Sequence, residues 1–257
     1  MKDKFKNMKN KGIKIGERPT DYRAGAKVGT LPYFVATDNW DSYLPPEEKQ
    51  FNDDGDSMAC VTFAELNGIE TQEKFQTGNY VEYSDRWIAK IGGTTREGAY
   101  LWQIADAIRK YGLGKEESYP VPEEKWNWNK YHEEIPQYKM DYLLAEGQGW
   151  LKKWDIKYES IDVSRSSLMK HIKMAPLIAI VPGHAVLNFR NEQDISHIFD
   201  TYPPHKKTVP SEYYPYKISH AMKIVLYKKE QALDPDTLLV NLKYGDSGSQ
   251  VLRLKRA

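Results

Sequence analysis

Hydrophobic positions in this chain change their period along its length, outlining a helical half followed by a strand-rich half. The sharpest signal is Leu101, Ile104, Ala105 and Ile108, spaced i, i+3, i+4, i+7 and followed by Gly112; it predicts an amphipathic helix that stops at that glycine. Met58, Val61, Phe63, Ala64, Leu66 and Ile69 also have helical spacing. Asp54, Gly55, Asp56 and Ser57 stand before them and favour a turn and a helix N-cap, with the helix running to about Phe75. Ser84-Asp85 should cap a short helix carrying Trp87, Ile88 and Ile91, broken by Gly92-Gly93. Leu31 to Gln50 is an extended lead-in, because the double proline Pro45-Pro46 excludes a helix there. Tyr142, Leu143, Leu144 and Leu151 predict one amphipathic helix inside an aromatic connection, Tyr119 to Trp154, whose tryptophans are better suited to packing between lobes than to stacking bases. Val163 to Ile172 reads as a short helix with His171 on its surface. After it, Pro176 to Phe189, His197 to Tyr202 and Ile218 to Lys229 have the character of strands.

Composition narrows the function. The 257 residues hold 37 basic and 36 acidic side chains, a net charge of +1, so no global field points to nucleic acid or an anionic membrane. No run approaches the roughly 20 apolar residues of a membrane helix. A single cysteine excludes an intrachain disulfide and fits a reducing compartment or a particle assembled inside a cell. The first 30 residues are lysine-rich (Lys2, Lys4, Lys6, Lys9, Lys11, Lys14) without the apolar core of a signal peptide. They are expected to form a flexible or surface-draped arm, or an assembly arm that docks on a virion partner. No zinc-finger spacing, Walker loop or dinucleotide fingerprint is present, and neither a metal nor a cofactor is expected.

Two stretches carry candidate chemistry. Cys60 falls on the first turn of its predicted helix, where unpaired backbone N–H groups and the positive end of the dipole favour thiolate. The alternative is a small buried hydrophobe, which is what most free cysteines are. His184 follows Pro182-Gly183 at the head of an apolar run, and its separation from Cys60 is near that of the cysteine and histidine in papain-type proteases. Further on, His197-Ile-Phe-Asp200 ends a strand-like run on a carboxylate, with Tyr202 two positions later.

These residues resemble the papain-like cysteine peptidases, in the divergent form of tailed phages and some bacteria, which implies the cytoplasm of a bacterial host or a virion as the expected location. Against the family's Gln-Gly-x-x-Gly-Ser-Cys-Trp-Ala-Phe, the chain has Asp54-Gly-Asp-Ser-Met-Ala-Cys-Val-Thr-Phe63, with Gly55, Cys60 and Phe63 matching. Gly183-His-Ala-Val186 is similar to the histidine strand, and Asp200-Thr-Tyr202 stands where the family has Asn-Ser-Trp. Tyr83-Ser-Asp-Arg-Trp87, Gly98-Ala-Tyr-Leu101 and Tyr111 to Pro120 extend the likeness, which runs from about Trp40 to Tyr227.

The resemblance implies an α+β, two-lobed papain-like fold, with a helical lobe carrying the cysteine and a β-rich lobe carrying the histidine. It implies amide hydrolysis of a polypeptide substrate: Cys60 attacks, His184 moves the proton, Asp200 orients His184 and Tyr202 shields their bond. The family's oxyanion-hole glutamine falls at Asp54, whose carboxylate would repel the developing charge; Gln50 is the nearest substitute. The segment before the enzyme looks unlike the helical inhibitory propeptide of the family, so activation by prodomain removal is not indicated. Residues 1–30 are then the arm, 31–230 the peptidase domain and 231–257 a linker and a further segment. Leu242-Lys-Tyr-Gly-Asp-Ser-Gly-Ser-Gln-Val-Leu-Arg-Leu-Lys255 resembles the opening of a peptidoglycan-binding module, by kinship or by chance. If by kinship, the chain is a piece of a longer protein. Two alternatives stay open: an endopeptidase or amidase acting on cell-wall peptides, and a virion structural or adhesion module with a degenerate site.

Overall fold

The computed structural model describes residues 12–14, 35–122, 125–210 and 218–229. Most of the lysine-rich arm and all of the peptidoglycan-binding-like segment lie outside them. Chain order begins with a 3-10 turn, Asp41–Tyr43, and a hairpin of two short strands, β1 (Phe51–Asn52) and β2 (Gly55–Asp56). Helices α1 (Cys60–Thr77), α2 (Asp85–Ile91) and α3 (Leu101–Tyr111) follow, then α4 (Trp128–Tyr131) and α5 (Gln137–Lys153). Strand β3 (Trp154–Ile161) leads through α6 (Arg165–His171) to β4 (Leu177–Val181), β5 (His184–Asn191), β6 (Ile195–Phe199), β7 (Lys206–Pro210) and β8 (His220–Lys228). The last six strands form one sheet in the order β3-β8-β4-β5-β6-β7, every neighbouring pair antiparallel.

Helix α1 joins the two halves. From Cys60 to Glu73 all its residues are buried, so it lacks the polar face that a surface helix keeps. One side meets α2 and α3, the other lies on β4, β5 and β8. Gly68 sits where the sheet comes closest, and a methyl group there would come within 3.2 Å of both Ile178 and Leu187. Strand β8 outruns its pairing with β4, leaving backbone groups that α1 supplies with partners. Gln72 Nε2 donates to the Ile224 carbonyl (3.0 Å), Leu226 N–H donates to Gln72 Oε1 (3.0 Å), and Gln76 Nε2 donates to the Leu226 carbonyl (3.0 Å). An unpaired buried backbone group costs about as much as a lost hydrogen bond. Gln72 and Gln76 are thus polar because the β8 edge they cover needs partners.

The local signals act as expected at α2 and α3. Ser84 caps α2 by accepting from Trp87 N–H (3.2 Å), and Gly112 ends α3 with φ +77°. The start of α1 departs from expectation: its N-cap is Ala59 with no side-chain cap, because Asp54 and Asp56 are used in the β1–β2 hairpin that precedes it. His171, expected at the surface, is half-buried and its Nδ1 lies 3.1 Å from Lys223 Nζ.

The helical half contains a group of carboxyls that, among the described residues, makes no ion pair with a lysine or arginine inside it. Glu48 makes carboxyl-to-carboxyl contacts with Glu82 and Asp85, beside Glu70 of α1 and Glu116. Arg86 lies nearby, but its guanidinium is committed to the Tyr131 and Lys130 carbonyls and to Glu133. Burial first, and then the charges of the other acids, hold Glu48, Glu70 and Asp85 well above the ordinary carboxylate range. Glu116 is lifted to about 7, chiefly by burial. An acid raised in this way leaves stability intact at low pH and removes it as pH climbs from the ordinary carboxylate range through about 7. The melting temperature should therefore fall between about pH 5 and about pH 8, and Glu116→Gln should lessen the fall. Equal falls in the two proteins would contradict this reading.

Candidate active site

Backbone geometry before α1 sets the position of Cys60. The β1–β2 hairpin folds back so that Ser57 N–H donates to the Gln50 carbonyl (2.9 Å) and Met58 N–H donates to Asp56 Oδ1 (2.7 Å). These bonds hold Met58 at φ +56°, a region that side-chain-bearing residues rarely occupy. Cys60 is the first helical residue, 1% exposed. Behind the loop, His132 packs on Trp128 with the rings tilted by 32° (centroids 3.8 Å apart) and Nε2 2.9 Å from the Ser57 carbonyl. Burial pushes His132 down to about 4, so at neutral pH it is an uncharged donor bracing the loop.

His184 arrives from the other half. Val181 and His184 are paired across the tight Pro182-Gly183 turn, with Gly183 at φ +74°, which puts His184 at the very start of β5. Its Nε2 lies 2.7 Å from Asp200 Oδ1, and both side chains are fully buried. Nδ1 has no well-directed hydrogen bond, yet the Cys60 side chain is near enough to act on the imidazole both by hydrogen bonding and by charge. Burial alone would drive a proton off His184; the bond to Asp200, the thiol of Cys60 and their charges outweigh it and raise the imidazole to about 10. Burial likewise opposes a charge on Asp200, but His184 and then Lys207 hold that carboxyl below its usual range.

A second carboxylate and an amide tie this pair to the hairpin. Tyr202 N–H donates to Asp200 Oδ1 (3.0 Å), and the Tyr202 ring presents its edge to His184 at 5.1 Å. That ring stacks on Phe51, and its hydroxyl donates to Asp56 Oδ2. Gln50 is fully buried between the same groups: its Oε1 accepts from Thr201 Oγ1 (2.7 Å), and its Nε2 donates to Asp56 Oδ1 (2.9 Å) and, more weakly, to Tyr202 Oη (3.4 Å). Asp54 is elsewhere, exposed on the hairpin turn with its own N–H bonded to Asn52 Oδ1. The structure therefore brings together Cys60, His184, Asp200, Gln50 and Tyr202, and leaves Asp54 outside. A cleft of about 410 Å³ opens next to Met58, walled by Asp54, Asp56, Arg96 and Trp128. Among the described residues, no group of His, Cys, Asp and Glu has the arrangement of a metal site.

The thiol is covered by the chain's own beginning. Cys60 Sγ donates to the Gly12 carbonyl at 3.5 Å. Ile13 forms a parallel bridge to Ala99, with Lys14 N–H on the Ala99 carbonyl (3.0 Å) and Ala99 N–H on the Gly12 carbonyl (3.3 Å). The approach is so close at Gly98 (φ +85°) that a Cβ there would stand 1.6 Å from the Gly12 oxygen. Residues 12–14 thus line the site, where the lysine pattern alone indicates a surface arm. Sequence reasoning also passed over His132 and Lys207. For Lys207 a signal existed: Pro203-Pro204 forces a turn that returns the chain to Asp200.

No family model matches the sequence, and no curated protein matches it either. Solved structures do. The Amb a 11 cysteine protease of ragweed pollen, in its proform, has a TM-score of 0.53 at 15% identity, over 78% of this chain and 68% of that one. A Carica candamarcensis cysteine protease in complex with E-64 gives 0.52 at 12% identity, over 73% and 96%. Digestive procathepsin L 3 of Tenebrio molitor larval midgut gives 0.54 at 13% identity, over 80% and 73%. The protein has the papain-like two-lobed fold, with helices in one lobe and the six-stranded antiparallel sheet in the other.

Ile13 is 8% exposed, and burying an isoleucine side chain is worth about 1.5–3 kcal/mol. Ile13→Asp should therefore unseat the segment and speed labelling of Cys60 by a small thiol reagent at least about tenfold. An unchanged labelling rate would show that residues 12–14 do not limit access to the sulfur.

Proposed function

We propose that the protein is a cysteine peptidase that cleaves amide bonds of polypeptides by thiol acyl transfer. The observation that carries the reading is the buried His184–Asp200 pair, whose second imidazole nitrogen faces the neighbourhood of a thiol at a helix N-terminus. The fold likeness to cysteine proteases supports it.

In this reading Cys60 Sγ passes its proton to His184 Nδ1, attacks the substrate carbonyl carbon and forms a tetrahedral intermediate. The Cys60 backbone N–H and Gln50 Nε2 stabilise its oxyanion. Gln50 redirects the proton of its longer bond, the one to Tyr202. The intermediate collapses, the C–N bond breaks and His184 delivers its proton to the leaving amine. Water, deprotonated by His184, then releases the acid from the thioester and restores the thiol. Asp200 holds Nε2 throughout, so Nδ1 is always the nitrogen that faces sulfur. Tyr202 keeps water from the His184–Asp200 bond.

The form described here is closed. The Gly12 carbonyl offers its oxygen to the thiol, whereas attack requires the carbon, and the segment runs parallel to Ala99. It covers the thiol without being placed for cleavage. Two of the structural neighbours are likewise described as a proform or a procathepsin. A polypeptide substrate takes over the Ala99 edge when the segment leaves.

Cys60→Ala should abolish hydrolysis of a denatured protein substrate while leaving the melting temperature close to that of the parent. Gln50→Ala should lower kcat about 10²–10³-fold, the usual loss for one oxyanion donor. Hydrolysis that survives Cys60→Ala would contradict the assignment.

A further inference from the structure

We propose that Lys207 is a positioning residue for the His184–Asp200 pair: its ammonium on Asp200 Oδ2 offsets part of the charge of Asp200, so that His184 holds its proton less tightly than it would against an unpaired carboxylate. This inference rests on the peptidase reading above.

The hairpin of β6 and β7 places it. Ile198 pairs with Lys207, so Lys207 lies on the face of the sheet to which Ile198 points, and residue 200, two positions on, shares that face. Lys207 Nζ reaches Asp200 Oδ2 at 2.6 Å, with side chains 6% and 0% exposed. Asp200 is then fully divided: Oδ1 serves His184 Nε2 and Tyr202 N–H, and Oδ2 serves Lys207. The surrounding titratable groups come from several elements. Cys60 stands at the head of α1, Tyr202 turns its ring edge to the imidazole and its hydroxyl to Asp56, and His205 Nδ1 bonds the Asp200 carbonyl with Nε2 3.8 Å from Glu47. Lys207 is the cation among them that touches the Asp200 carboxylate directly.

The chemistry explains why a cation belongs there. A buried carboxylate with no counter-charge stabilises imidazolium strongly. His184 must release its proton to the leaving amine, and an imidazole that binds the proton too tightly is a poor general acid. Pairing Asp200 with Lys207 keeps the geometry of the grip and offsets part of that charge.

The test reads the imidazole rather than turnover, so it separates this inference from the peptidase reading. His184 is titrated by NMR in the Cys60→Ala protein, alone and with Lys207→Met, Lys207→Arg, or Asp200→Asn with Lys207→Met. Lys207→Met should raise the His184 pKa by about one unit or more. Lys207→Arg should leave it near the parent value. The double variant, with a neutral amide and no cation, should lie clearly below Lys207→Met. Lys207→Gln stands in for Lys207→Met should that protein not fold. A lysine that only ties the hairpin would change the melting temperature and leave the titration where it was. An unmoved titration in Lys207→Met, or a double variant as high as Lys207→Met, overturns the proposal. If the titrations shift as stated but the wild-type protein cleaves nothing, the electrostatic role stands and the peptidase reading fails.

Discussion

Burial of α1 on all sides is the constraint on which the rest of the structure depends. A helix packed against α2 and α3 on one flank and the sheet on the other cannot shift without opening both halves of the core. Its axis thereby fixes where Cys60 stands relative to His184, which hangs from the first residue of a strand lying against the same helix. Close packing of this kind transmits position from one lobe to the other. Gln72 and Gln76 add direct bonds to β8, so slipping of the helix along the sheet would leave buried carbonyl and amide groups unpaired.

Around that frame the site is a closed hydrogen-bonded network. Gln50, Asp56, Thr201 and Tyr202 link the hairpin before α1 to the turn after β6, and Asp200 belongs to the same turn. The groups that grip the imidazole and the Gln50 amide are therefore fastened to each other. Such preorganisation is where electrostatic catalysis derives most of its effect, because the dipoles do not have to reorient during reaction. The left-handed backbone at Met58 shows that the loop before the cysteine is held there by its neighbours rather than by its own preference.

Much of this was legible in the sequence, for local reasons. Cys60, His184 and Asp200 stand next to turn and period signals, and those signals act within a few residues: the Pro182-Gly183 turn delivers His184, and the Ser84 cap and Gly112 stop delimit α2 and α3. Gln50 was legible as the nearest glutamine, although the family slot falls at Asp54; the hairpin between them shifts the register, and no periodicity encodes a two-residue strand. The remainder depends on distant pairings. Gly12 approaching Cys60 and the meeting of five acids come from tertiary placement, to which hydrophobic patterning is blind, whereas Lys207 reaches Asp200 within one hairpin. The cap of α1 shows the converse: Asp56 has the chemistry of an N-cap, but the fold uses it for Gln50, Met58 and Tyr202.

The most direct measurement is mass spectrometry of the intact, folded protein after exposure at neutral pH to an epoxide inhibitor of thiol peptidases, with His184→Ala treated in parallel. If the sulfur and the imidazole act as one unit, a single adduct forms at Cys60, and His184→Ala forms it far more slowly. A folded protein that takes up no adduct once residues 12–14 have been unseated, or one that reacts equally fast without His184, would contradict the account.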